Sequence, residues 1–285
     1  MSGRRTLVLF RKNLLRRIFV SFETSMDFLT KLEKLQGKNN SLLCVGLDPD
    51  FEKLENEKNQ FEFNKKIIDE TADYVCCFKP QIAFYAAAGL QGLENLKKTI
   101  DYIKKRYPEI PVLLDAKRGD VGHTSEMYVK EIFDFYGVDA VTLNPYCGFD
   151  AVKPFLKRKE KGVFIICRTS NPSSVDFQDL SSNGEPLFLK VAKKIVEWSK
   201  NYPNAMLQIG ATWPKEIKIV RNITPDMIFL TAGVGAQGGD LKATLVNGLR
   251  QDGRGLIVSV SRSIIYGQNP ANAAKDLKDE INKYR

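Results

Sequence analysis

The chain has 285 residues, 43% hydrophobic and 27% charged, enough for one large domain with a full core. No stretch approaches the ~18 consecutive apolar residues of a membrane-spanning helix. The net charge of +9 is concentrated at the start, where Arg4, Arg5, Arg11, Lys12, Arg16 and Arg17 precede the first acid, Glu23; the nearly balanced remainder carries no general polyanion-binding signature and suits a small anionic ligand instead of nucleic acid.

Residues 1–25 have the composition of a mitochondrial targeting segment, although Leu7 and Arg11 would share a helical face. A plain basic extension ahead of Met26 fits equally well, and in either case the segment stands apart from the fold. From Met26 a short amphipathic helix with Phe28, Leu29, Leu32 and Leu35 leads to Gly37. Apolar strand-like runs then recur at 42–47, 74–78, 112–114, 140–143, 163–167, 205–209, 227–230 and 256–260. Helix-compatible segments occupy 61–73, 90–106, 124–136, 149–159, 186–201, 214–222, 240–248 and 270–284. This alternation over residues 26–285 predicts a single-domain α/β fold, a (β/α)8 TIM barrel whose parallel sheet is covered by helices. A doubly wound open sheet is the competing architecture, but no strand is followed by a G-x-G-x-x-G turn.

Barrel enzymes place their chemistry at the C-terminal ends of the strands, and those ends are polar here. In chain order they offer Asp48 before Pro49, Lys79 before Pro80, Asp115 with Lys117, Asn144-Pro145, Arg168-Thr169-Ser170-Asn171-Pro172, the glycine-rich run Gly233 to Asp240, and Ser261-Arg262-Ser263. On an extended chain Asp115 and Lys117 share a face, and Lys79, Asp115, Lys117 and Asp120 alternate in sign. In a site shielded from water such a set creates a strong local field. A substrate carboxylate would be repelled by Asp115, and an ammonium at Lys117 could protonate the carbon left behind, which favours decarboxylation. Glycines at 233–239, with Gln237 and Arg262, suit a phosphate. Taken singly, each has a bland reading: a surface ion pair, a turn aspartate at Asp48, a snorkelling Lys79, a solvated Arg262.

The five cysteines lack a C-x-x-C pair and mostly fall in apolar runs, so they read as buried reduced thiols of a cytosolic-type compartment. His123 is the sole histidine, which argues against His-rich metal sites and a Ser-His-Asp triad; a capping or packing role is expected for it. The polar segment 169–185 has the length of an active-site lid.

Asp115-x-Lys117-x-x-Asp120, with Gly-Leu-Asp48-Pro, Lys79, Arg-Thr-Ser-Asn-Pro at 168–172, Gly-Val-Gly-Ala-Gln-Gly-Gly-Asp at 233–240 and Arg262, resembles the orotidine 5'-phosphate decarboxylase family, in particular its bacterial-type branch. The resemblance runs from near residue 27 to the C-terminus. It implies cofactor-free and metal-free conversion of orotidine 5'-phosphate to UMP and carbon dioxide in the cytoplasm. It further implies that Lys117 is the proton donor, that Asp115 lies beside the departing carboxylate, that Asp48 and Lys79 contact the ribose, that Ser170 reads the pyrimidine edge, and that Gln237 and Arg262 hold the phosphate. Asp120 and Thr124 match the positions that the family supplies from a partner subunit, implying a homodimer with shared sites. Ala232 departs from the proline of the family pattern, a change in loop stiffness alone. The competing functions are a magnesium-dependent sugar-phosphate enzyme, whose extra Glu before the motif is replaced here by Leu113 and Leu114, and a noncatalytic phosphate-ligand or RNA-binding barrel.

Overall fold

Asp27 caps the first helix, Phe28–Lys38: its side chain accepts a hydrogen bond from Thr30 N at 3.0 Å, satisfying an amide that the first turn leaves without an intrahelical partner. In the computed structural model, which describes residues 26–54, 59–235 and 238–285, this helix plugs one end of a barrel. Phe28 and Leu32 pack onto Cys44, Leu113 and Leu230 of the barrel interior, and Phe28 meets Phe164 edge-on with ring centroids 5.8 Å apart. The basic segment 1–25 lies outside the described residues.

The barrel strands are β1 Leu43–Leu47, β2 Cys77–Pro80, β3 Leu113–Arg118, β4 Ala140–Leu143, β5 Gly162–Arg168, β6 Ala205–Gly210, β7 Phe229–Ala232 and β8 Leu256–Val260. All pair in parallel, in the spatial order β2-β1-β8-β7-β6-β5-β4-β3. Two single bridges, Phe78 to Val112 and Gln81 to Asp115, bring β2 against β3 and close the circle. The strands are apolar nearly throughout because helices cover one face and the barrel core the other. The expected (β/α)8 architecture is the one observed.

Alternation along the strands sorts the barrel interior into layers. Cys44, Cys77, Leu113, Phe164, Met206, Leu230 and Ile257 form an apolar layer against the plugging helix. Two residues further along, Lys79, Asp115, Thr142, Gln208 and Ser259 occupy the same face of their strands, so the interior turns polar towards the C-terminal mouth.

Several boundaries differ from the sequence expectation. The second strand begins at Cys77, not at residue 74, because Ala72–Tyr74 extend the preceding helix by a 3-10 turn. The third strand runs on to Arg118, with a register shift against β4 between Leu114 and Arg118, so Asp115 and Lys117 lie within the strand and not beyond it. The helix expected over 124–136 is α-helical over Gly122–Val129 and π-helical over Lys130–Tyr136. Gly137 ends it with φ +73°, a conformation that glycine adopts without strain. Residues 169–185 are not a plain polar loop: Pro172–Ser174 and Val175–Gln178 form helical turns, and Ser181–Ser182 pair with Glu185–Pro186 in a small hairpin. His123 neither caps nor packs, since its side chain is 86% exposed and its nearest charged neighbour is Glu126 at 3.8 Å. Of the cysteines, all free, Cys44, Cys76, Cys77 and Cys167 are buried as expected, whereas Cys147 is exposed.

Candidate active site

Asp115 is the hub of the polar layer. Lys79 Nζ donates to its Oδ2 at 3.2 Å, Lys117 Nζ donates to its Oδ1 at 2.6 Å, and Thr142 Oγ1 donates to the same Oδ1 at 2.7 Å. Thr142 Oγ1 in turn accepts from Lys117 N at 3.0 Å. That bond helps to hold Lys117 at φ +46°, a left-handed conformation disfavoured for a residue with a Cβ. The expectation that Asp115 and Lys117 meet is met, but by a bulged strand with a left-handed residue instead of simple alternation. The Lys79 and Asp115 side chains are only 6% and 7% exposed, while that of Lys117 is 41% exposed and faces the open mouth.

Burial opposes ionisation of Asp115, yet the ammonium groups of Lys79 and Lys117 more than offset it and hold the carboxyl at about 2. Burial likewise works against the charge of Lys79, but Asp48 and Asp115 outweigh it and raise its pKa above the ordinary lysine value. Asp48, half-buried beside them, goes the other way. Desolvation raises its pKa, Asp115 adds to the rise, and Lys79 together with hydrogen bonds from Ser261 and Gln81 N only partly counters it. Asp115 therefore favours the folded state above the ordinary carboxylate range and loses that contribution as pH falls toward about 2. The ionised form of Asp48 costs stability, and the cost is relieved as pH falls through its raised pKa.

A cavity of about 800 Å³ opens at the C-terminal mouth above this layer. Six of the residues singled out from the sequence line it: Asp48, Lys79, Asp115, Lys117, Ser170 and Arg262. Asp120 and Thr124 do not; Asp120 Oδ1 instead accepts from Val121 N at 2.7 Å, and Asp120 makes no ion pair with Lys79 or Lys117 within the chain. Gln237 lies outside the described residues. Among the described residues on either side, Gly239 N donates to Gly233 O at 3.0 Å and Gly235 N to Gly239 O at 3.1 Å. Ser170 sits hard against β6: a Cβ on Gly210 would lie 2.6 Å from Ser170 N, so the close approach requires glycine there. Trp213 Nε1 also holds this segment, donating to Thr169 O at 2.7 Å.

Other cavity residues escaped the sequence reading. Gln208 and Ser259 lie among hydrophobic strand residues and read as ordinary strand positions; only their two-residue spacing from Met206 and Ile257 signals that they face the interior. The Gln208 carboxamide oxygen is buried and has no hydrogen-bond partner among the described residues. Thr142 looks like a β-former until Asp115 is placed beside it.

Residues 41–277 match the model of the Orotidine 5'-phosphate decarboxylase / HUMPS family. A protein from Cellvibrio japonicus named orotidine 5'-phosphate decarboxylase is 46% identical over 274 residues, spanning 91% of this chain and 100% of the relative. Among solved structures, that of Leishmania donovani OMP decarboxylase superposes with a TM-score of 0.83 at 37% identity, covering 91% of this chain and 99% of that one. That of Leishmania donovani UMP synthase gives 0.84 at 38% identity and the same share of this chain, but this chain spans only 56% of the synthase.

Replacing Lys79 with methionine leaves Asp48 and Asp115 without their buried cation, a loss of about 3–5 kcal/mol. The urea midpoint of K79M should fall accordingly at neutral pH, and its deficit relative to wild type should shrink as pH is lowered, with Asp48 protonating first. A deficit independent of pH would contradict the charge arrangement.

Proposed function

The chain belongs to the orotidine 5'-phosphate decarboxylase / HUMPS family, and on that footing we propose that it converts orotidine 5'-phosphate to UMP and carbon dioxide, the last step of UMP biosynthesis, with no metal or cofactor. The observation that carries this reading is an ionised Asp115 held between two ammonium groups at the floor of the cavity. A substrate carboxylate brought beside Asp115 meets a fixed like charge, and that repulsion is relieved as the carboxylate becomes neutral carbon dioxide. The bond from the ring carbon to the carboxylate breaks, and its electron pair stays on the ring carbon. Lys117 Nζ supplies the proton that completes the new C–H bond, and its amine then regains a proton from water. Because the field is already in place before substrate arrives, little reorganisation accompanies the charge shift.

In this reading Asp48 and Lys79 take the ribose hydroxyls and Ser170 takes the pyrimidine edge, supported by their shared cavity. Arg262, exposed at the start of the helix Arg262–Ile265, takes the phosphate together with Gln237. The 169–185 segment acts as the lid over the base, and phosphate binding energy gathered far from the reacting carbon favours the closed state.

A homodimer is supported by what one chain lacks at its own cavity. Asp120 and Thr124 do not line it and in this reading serve the site of a partner, and exposed Val121, Met127 and Tyr146 offer apolar surface on the same stretches of chain. The five free cysteines support a cytoplasmic setting. The family also includes HUMPS proteins, which keeps a magnesium-dependent sugar-phosphate reaction as the second reading. Against it, the positions before Asp115 are the buried Leu113 and Leu114, and both Asp115 oxygens are already engaged by lysines and Thr142.

Purified protein in excess chelator should deplete orotidine 5'-phosphate at the same rate as without chelator; a rate abolished by chelator and restored by magnesium would overturn the metal-free reading. In the same assay Arg262→Ala should lower kcat/KM by about 10- to 150-fold, the range for losing one hydrogen bond to a charged group. An unchanged value would remove Arg262 from the phosphate site.

Shared sites make a separate prediction. D120A and K117A proteins, each inactive alone, should regain activity after their subunits are exchanged, because a mixed dimer has one site with both Lys117 and Asp120 intact. No recovery despite demonstrated exchange would contradict the shared site.

A further inference from the structure

Arg168 closes β5, and its side chain is wholly buried, yet its carboxylate partner lies outside the barrel wall on the segment that follows. Asp179, 44% exposed, receives both terminal nitrogens of the guanidinium, Nη1 on Oδ1 and Nη2 on Oδ2 at 3.1 Å. The guanidinium also lies 4.1 Å from the Trp213 ring centroid and 5.3 Å from that of Phe188. Its Nε has no hydrogen-bond partner among the described residues. A buried guanidinium whose ion-pair partner sits on a surface segment resists release of that segment, because opening would leave the charge unpaired.

The residue next to Asp179 transmits the constraint. Gln178 Oε1 accepts from Thr169 N at 2.9 Å, and Gln178 Nε2 donates to Thr169 Oγ1 at 3.1 Å. With Trp213 on its carbonyl, Thr169 has its amide, hydroxyl and carbonyl all engaged immediately before Ser170. At the far end, Leu187 N donates to Leu180 O at 3.0 Å and ties down the small hairpin.

We propose that Asp179 is a positioning residue: its ion pair with the buried Arg168 folds the 169–186 segment back on itself and fixes Ser170 at the cavity wall before substrate binds. This rests on the reading of Ser170 as the contact to the pyrimidine. The clasp supplies preorganisation, so substrate does not have to order the segment from a loose state. The phosphate residues belong to different loops, those after β7 and β8, and among the described residues none of them bonds Arg168 or Asp179, so cutting the clasp should fall on kcat more than on KM.

The test is a double-mutant cycle on orotidine 5'-phosphate turnover with D179A, S170A and the double variant, alongside D179E. D179A should lower kcat/KM by on the order of 100-fold. S170A should then add little in the D179A background, and D179E should restore much of the loss because its carboxylate still reaches the guanidinium. A D179A value within about twofold of wild type, or effects of D179A and S170A that simply multiply, would overturn the proposal. An inactive wild type would overturn the decarboxylase reading, not the clasp. The clasp is then read in a W198F background from Trp213 emission, which D179A should shift and D179E should restore; unchanged emission in D179A would overturn it.

Discussion

Asp115 depends on its two ammonium neighbours, and much else depends on Asp115. Lys79 comes from β2, Asp115 and Lys117 from β3 and Thr142 from β4, so a single carboxylate ties three adjacent strands together. The β2–β3 seam is the sparsely bonded one in the barrel, joined by single bridges, and one of these is from Gln81 to Asp115 itself. The residue that closes the barrel is thus the one that sets the field in its mouth. A buried ion pair of this kind is a weak source of net stability, since desolvation offsets most of the attraction.

The layering of the interior explains why that field is strong. Below the charged layer, among the described residues, lie thiols, Met206, aliphatic side chains and Phe164, sealed at the end by Phe28 and Leu32. Water has no polar path from below, so the charges interact through a low-dielectric floor and open to solvent only at the mouth. Lys117, the more exposed of the two lysines, stands on the side from which substrate would enter. Asp48, with its raised pKa, shows the cost of placing another carboxylate in the same environment.

The sequence made the barrel and the composition of the site legible, and for a common reason. Strands buried on both faces must be apolar, so polar residues at their ends stand out; Asp48, Lys79, Asp115, Lys117, Ser170 and Arg262 were all found in this way and all line one cavity. The same logic failed where a polar residue lies inside a strand. Asp115 and Lys117 read as the end of β3, which continues through a bulge to Arg118, and Gln208 and Ser259 read as ordinary strand positions. Arg168 reads as part of a polar turn although it is buried, because its partner, Asp179, is eleven positions away across a segment without periodicity. Asp120 and Thr124 lie outside the cavity of their own chain, and His123 shows that being the sole histidine carries no structural meaning.

Delivery of a proton by Lys117 to the carbon from which carbon dioxide departs is tested by comparing orotidine 5'-phosphate turnover by wild type and Lys117→Ala, with UMP binding measured for both. The account predicts turnover by the wild type, loss of turnover in the variant by at least about 10²-fold, the low end for general acid–base catalysis, and retained UMP binding. A variant that binds UMP and turns over substrate within about tenfold of wild type would contradict it.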